Sequence, residues 1–167
     1  MNKGQGYTFF IMGVSGTGKS TIGRLFSNKF ALPFYDGDDY HPKANIDKMA
    51  SGKPLNDNDR YDWLLQLNSI ALKNKDIGSV IACSSLKKKY RDQLKKGLTH
   101  FYFIFLEGSF DLILNRMNER KNHFMPAELL KSQFETLEIP DFSESVISVS
   151  IEHTPDQIIS EIINQLN

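Results

Sequence analysis

The sequence predicts an α/β fold in which helices flank a parallel sheet and a phosphate-binding loop follows the first strand. Three observations predict it. Gly13-Val14-Ser15-Gly16-Thr17-Gly18-Lys19-Ser20 fits G-x-x-x-x-G-K-[ST]. The β-branched and aromatic run Tyr7-Thr8-Phe9-Phe10-Ile11-Met12 precedes it, and Ile22, Leu25, Phe26 and Phe30 follow at helical spacing. Beyond them, apolar runs keep alternating with helical patterns, as βαβ units require.

The glycine-rich segment has a physical purpose. Gly13, Gly16 and Gly18 allow backbone turns that other residues resist, so several N–H groups can point at one anion. The next helix adds the positive end of its dipole. In such a loop Val14, Ser15, Thr17 and Thr21 complete the cradle, Lys19 reaches the β and γ phosphates, and the Ser20 hydroxyl serves Mg²⁺.

The remaining strands are expected at Pro33-Phe34-Tyr35, Val80-Ile81-Ala82-Cys83, 101–106 and 146–151, each nearly apolar throughout, as strands covered on both faces should be. Asp57 or Asp59 suits the cap of a helix carrying Trp63, Leu64, Leu67, Ile70 and Ala71. Ser109 suits the cap of one carrying Leu112, Ile113, Leu114 and Met117, and Pro126 a first helical position before Leu129, Leu130 and Phe134. Thr154-Pro155-Asp156-Gln157 is a capping box ahead of Ile158, Ile159, Ile162 and Ile163.

At 167 residues with 40% hydrophobic content, the chain is expected to form one domain with its own core. Its 20 basic and 20 acidic residues cancel, which gives no electrostatic reason to expect nucleic acid or an anionic membrane. One cysteine, Cys83, permits no internal disulfide and fits a reducing compartment. No apolar run reaches a membrane span and the start lacks a cleavage pattern, so a cytoplasmic protein is expected.

Ligands of open parallel sheets lie at the carboxyl ends of the strands, so the residues just past each strand are the candidates for chemistry. After the second strand come Asp36, Asp38 and Asp39, whose mutual repulsion a cation or a proton would relieve. Asp36 is the candidate Mg²⁺ partner and Asp38 the candidate base for an acceptor hydroxyl. Arg60 stands at a helix start, where the macrodipole disfavours a cation, so an anionic acceptor is the expected reason for it. Past the third strand, Ser84 and Ser85 are donors or caps. Lys87 and Arg91, four residues apart, are expected on one helix face, where they hold a carboxylate or form part of a solvated basic face. Arg116 and Arg120, similarly spaced, are candidates to offset charge on a transferring phosphoryl group, with Arg120 catalytic in a closing segment. His123 has no partner legible in sequence.

Several segments together resemble the gluconokinase family in order and spacing. They are residues 13–21, Tyr35-Asp36-Gly37-Asp38-Asp39-Tyr40-His41-Pro42, Asn45-Ile46 with Lys48-Met49, Gly52 with Pro54-Leu55, and Asp59-Arg60 with Trp63-Leu64. Residues 82–87 with Tyr90-Arg91-Asp92, His123-Phe124-Met125-Pro126, and Ser132-Gln133-Phe134 with Leu137-Glu138 continue the match, which spans roughly residues 7 to 145. The resemblance implies a shikimate-kinase-like P-loop NTPase fold with a five-stranded parallel sheet, a lid and acceptor-binding segments, and usually a homodimer. It implies ATP- and Mg²⁺-dependent phosphorylation of D-gluconate at its 6-hydroxyl. Carried over, residues 13–20 bind ATP, Ser20 and Asp36 serve Mg²⁺, and Asp38 is the base. His41, Arg60, Lys87 and Arg91 surround the sugar acid, while Arg116 and Arg120 belong to the lid region. Asp62 stands where the family commonly has Pro, and Asn122 where Gly is common.

A GTPase switch would need an Asn/Thr-Lys-x-Asp guanine reader, and Asn74-Lys75-Asp76-Ile77 has the wrong spacing. A kinase of the same fold acting on shikimate or a nucleoside monophosphate, and a catalytically silent scaffold, are the other readings.

Overall fold

The computed structural model describes residues 6–119 and 126–167. Five strands form one parallel sheet: β1 (Thr8–Met12), β2 (Phe34–Asp36), β3 (Ser79–Ala82), β4 (Phe101–Glu107) and β5 (Val146–Ser150). Their order is β2-β3-β1-β4-β5, which puts β1 at the centre. Its five residues are all buried, matching the unbroken apolar run that predicted it.

The helices connecting and following the strands are α1 (Lys19–Phe30), α2 (Lys43–Ala50), α3 (Asp57–Lys73), α4 (Lys88–Leu94), α5 (Phe110–Glu119), α6 (Ala127–Thr136) and α7 (Pro155–Gln165). A 3₁₀ turn, Gly37–Tyr40, follows β2. The core lies between sheet and helices, with Phe9, Phe10, Phe26, Phe103, Leu64 and Leu67 almost wholly buried.

The caps follow local chemistry. Thr154 and Gln157 exchange bonds in the expected capping box, with Pro155 at the helix start. The Ser109 hydroxyl accepts from the Leu112 N–H at 3.3 Å. Pro126 falls one residue outside its expected place, at the N-cap of α6. The cap of α3 also differs from expectation. Asn56 accepts from the Asp59 N–H, while Asp59 bonds back to the Asn56 N–H, so Asp59 is the third residue of the helix and Asp57 the first. Among the described residues no helix is long and apolar enough to cross a membrane.

Candidate active site

The carboxyl ends of β1, β2 and β3 open into a cleft of about 960 Å³, lined at one end by the glycine-rich loop and at the other by α2 and the start of α3. Ser15, Gly16, Gly18, Lys19, Ser20 and Thr21 line it directly. Gly13, Val14 and Thr17 stand behind them. The Gly13 N–H donates to the Ser84 carbonyl, and the Thr17 hydroxyl and Lys19 ammonium both donate to the Val14 carbonyl at 3.0 Å. Gly16 and Gly18 take φ of 83° and 92°, the left-handed region that favours glycine. A Cβ on Gly16 would also come within 2.8 Å of Met117. Packing against α5 therefore adds to the glycine geometry in fixing the loop.

Lys19 is half-buried, and burial pulls its pKa below the ordinary lysine value against the opposing pull of Asp38 and Asp36. A desolvated ammonium bonded to a neutral carbonyl still lacks a full counter-charge, and a phosphate would supply one. The Ser20 hydroxyl donates to Asp36 Oδ2. Hydroxyl and carboxylate together are hard oxygen donors suited to a magnesium ion that also takes phosphate oxygens. Among the described residues no three His, Cys, Asp or Glu side chains converge into a metal cage.

The acidic turn is fixed by two residues that sequence did not mark for the site, Gly37 and Trp63. Gly37 packs so tightly that a Cβ there would sit 2.4 Å from the Ala82 carbonyl oxygen. The Trp63 indole N–H donates to the Gly37 carbonyl at 2.7 Å. Asp36 Oδ1 accepts from the Asp38 N–H, which leaves the Asp38 carboxylate projecting, 84% exposed, into the cleft.

His41 stacks on Trp63 with ring centroids 4.0 Å apart, and its Nε2 lies 3.9 Å from Asp38 Oδ1. Burial lowers its pKa despite the pull of Asp38, so the ring is held neutral at pH 7. The Asn45 amide lies 3.4 Å from Nδ1; when Nδ1 accepts that bond, Nε2 carries the proton facing Asp38.

Arg60 is buried yet lines the cleft. Its Nη1 donates to the Leu55 carbonyl and lies 3.4 Å from the Tyr90 hydroxyl, both neutral groups. A buried guanidinium with neutral partners, facing a cleft at the unfavourable end of a helix, suits an anionic ligand.

Three cations expected near ligands are engaged elsewhere. Arg91 is 1% exposed, and its Nε and Nη2 donate to Glu144 at 2.7 and 3.0 Å. Lys87 is the N-cap of α4 and binds Asp57 at 3.1 Å. It therefore shares no helix face with Arg91, and neither side chain lines the cleft. Arg116 donates to the Ile151 carbonyl at 2.6 Å, leaving Met117 as the α5 residue that lines the cleft. Arg120 and His123 lie outside the described residues. Cys83 is a buried thiol, pushed up to about 11 by desolvation, and is unsuited to nucleophilic attack at neutral pH.

The shikimate kinase family profile matches residues 15–167. The thermosensitive gluconokinase of Escherichia coli (strain K12) is 50% identical over 151 residues, covering 89% of this chain and 81% of that protein. The chain belongs to the gluconokinase family. A probable gluconokinase of Mus musculus is 43% identical, with 93% of this chain and 95% of that one covered. Among solved structures, a gluconokinase from Sinorhizobium meliloti 1021 aligns with a TM-score of 0.86 at 38% identity, over 95% of this chain and 90% of that one. A shikimate kinase from Aquifex aeolicus, 21% identical with a TM-score of 0.68, shares the fold. Membership in these P-loop kinases implies ATP as the phosphoryl donor.

Proposed function

We propose that this chain transfers the terminal phosphoryl group of ATP to the 6-hydroxyl of D-gluconate, giving 6-phospho-D-gluconate and ADP. The observation that carries it is the single cleft that joins an anion cradle at Lys19 to a second cation, Arg60, with Asp38 and His41 on the wall between. Relatives named as gluconokinases support the choice of acceptor.

Gly16, Gly18 and Lys19 bind the phosphates through loop N–H groups and one ammonium. Ser20 and Asp36 would hold Mg²⁺, which when bound neutralises phosphate charge and lowers the cost of bringing a nucleophile to it. Arg60 is the partner for the gluconate carboxylate. Asp38 takes the proton of the attacking hydroxyl, and His41 Nε2–H orients that carboxylate. Ile46, Met49 and Leu55, which also line this end, exclude water from the acceptor. The cytoplasmic setting and the homodimer belong to the same reading.

The test is ADP release measured separately with gluconate, shikimate and AMP, with the phosphorylated position assigned by NMR. Turnover with gluconate alone and phosphate on its 6-oxygen is expected. Turnover with either other acceptor, or with none, would overturn the proposal.

A further inference from the structure

The side chain of Gln133, on α6, spends both ends of its carboxamide on one residue of the phosphate loop. Its Oε1 accepts from the Ser15 backbone N–H at 2.7 Å, and its Nε2 donates to the Ser15 hydroxyl at 3.1 Å. The orientation is fixed by chemistry, because a backbone N–H can only donate and must meet the oxygen of the amide. These contacts join residues 118 apart in sequence. On the other side of the same loop, Gly16 packs against Met117 and Ile113 of α5. The crown of the loop is therefore gripped from two helices, by packing on one side and by paired hydrogen bonds on the other.

Leu129, Ser132, Gln133 and Thr136 form one face of α6, and that face lines the cleft. A loop N–H that would otherwise turn toward an anion is taken by a neutral oxygen in the protein itself. We propose that Gln133 is a positioning residue for phosphoryl transfer: by clamping Ser15 it locks the crown of the phosphate loop to α6 and fixes where the transferring group meets the acceptor hydroxyl that Asp38 deprotonates. This role rests on the phosphoryl-transfer function proposed for the cleft. Small displacements of a reacting group are costly, and the loss of both hydrogen bonds leaves the crown held from the α5 side alone.

Two substitutions separate this role from simple packing. Gln133→Met keeps nearly the same volume and flexibility while removing both hydrogen bonds. It is expected to lower kcat with gluconate between about tenfold and a hundredfold, with KM for gluconate changed by less than about threefold. Gln133→Glu gives a pH readout. The protonated acid can accept from the Ser15 N–H and donate to its hydroxyl, whereas the carboxylate cannot donate and repels the phosphates. With an ordinary carboxyl pKa of about 4.3, the protonated fraction falls steeply above about pH 5. The ratio of this variant's kcat to the wild type's is therefore expected to fall as pH rises from about 5 to about 8.

A Gln133→Met enzyme within about twofold of the wild type in kcat would overturn the proposal. If that variant melts below the assay temperature, the glutamate ratio decides alone, and a flat ratio overturns it. All ratios are taken against wild-type turnover with gluconate. An unchanged ratio thus removes only the role of Gln133, whereas a wild type inert toward gluconate removes the parent reading and this one together.

Discussion

Lys19 and Asp38 carry opposite charges into one cleft, and their environments assign them different work. Desolvation holds the Lys19 pKa below its unfolded value, so the folded state binds this proton less tightly than the unfolded chain does. The charged side chain is then a burden on stability at neutral pH, and that burden lifts only as pH rises through the folded pKa. Lys19→Met is accordingly expected to leave the melting temperature unchanged or raised while kcat falls by at least about a hundredfold, the usual loss for one preorganised donor. Calorimetry beside the ADP-release assay checks both halves, and a variant that unfolds, or one that stays active, contradicts the assignment. Asp38 is exposed on a turn and carries no packing. Asp38→Asn keeps the shape and removes the base, so kcat is expected to fall by about 10²–10⁴ while the affinity for MgATP, measured by titration calorimetry, hardly changes.

The acidic turn between β2 and α2 is positioned by Gly37 and Trp63 as well as by the Asp36 carboxylate that caps it. Gly37→Ala would drive a methyl group into the Ala82 carbonyl oxygen of the neighbouring strand, and backbone on both sides has little room to yield. A loss of about 1–3 kcal/mol is expected in urea unfolding, together with a lower kcat as Asp36 and Asp38 are displaced. Unaltered stability would show that β2 and β3 can part without cost.

The same region shows what sequence can and cannot carry. All five strands, the loop, the box at Thr154 and the cap at Ser109 rest on local pattern, and each stands within a residue or two of where the pattern puts it. Asp36 beside Ser20, and Arg60 facing a cleft, were equally legible, one from the loop motif and one from an unfavourable helix position. Lys87 and Arg91 were not, because spacing of four places two side chains on one face only when both residues are helical, and Lys87 is an extended N-cap. Gly37 and Gln133 act through residues far away in sequence, so no local pattern assigns their roles. Trp63 was legible as core; that it also carries the turn carbonyl and the imidazole of His41 required the fold.

Arg91 explains how the two flanks of the sheet are held as one body. It belongs to α4, after β3, whereas Glu144 lies just before β5, and β1 and β4 stand between those strands. The segment between α6 and β5 reinforces this link. The Glu138 N–H donates to the Leu86 carbonyl at 2.7 Å, and its carboxylate accepts from the Lys88 N–H at the start of α4, also at 2.7 Å. The Arg91 guanidinium further donates to the Ser85 and Leu86 carbonyls, fixing the turn in which Ser85 takes a φ of 51°. This brace keeps Arg91 out of the cleft that Arg60 lines. Removing one partner strands a buried charge, so Glu144→Ala is expected to cost about 3–5 kcal/mol, more than any surface ion pair here, such as Lys43–Asp47. Replacing both partners with apolar residues of similar size, Arg91→Met with Glu144→Leu, is expected to recover most of that loss, since the desolvation of two charges disappears with their attraction. The bond to Arg91 holds the Glu144 pKa below its unfolded value. The stability it contributes is therefore complete above about pH 4.3 and fades as pH falls through the folded pKa. In urea titrations from pH 7 down to pH 3, the wild type should lose more stability than the double variant, and the two curves should converge toward the acid end. Parallel curves across that range would mean that Glu144 is as easily protonated folded as unfolded, and the brace would then rest on packing and backbone bonds alone.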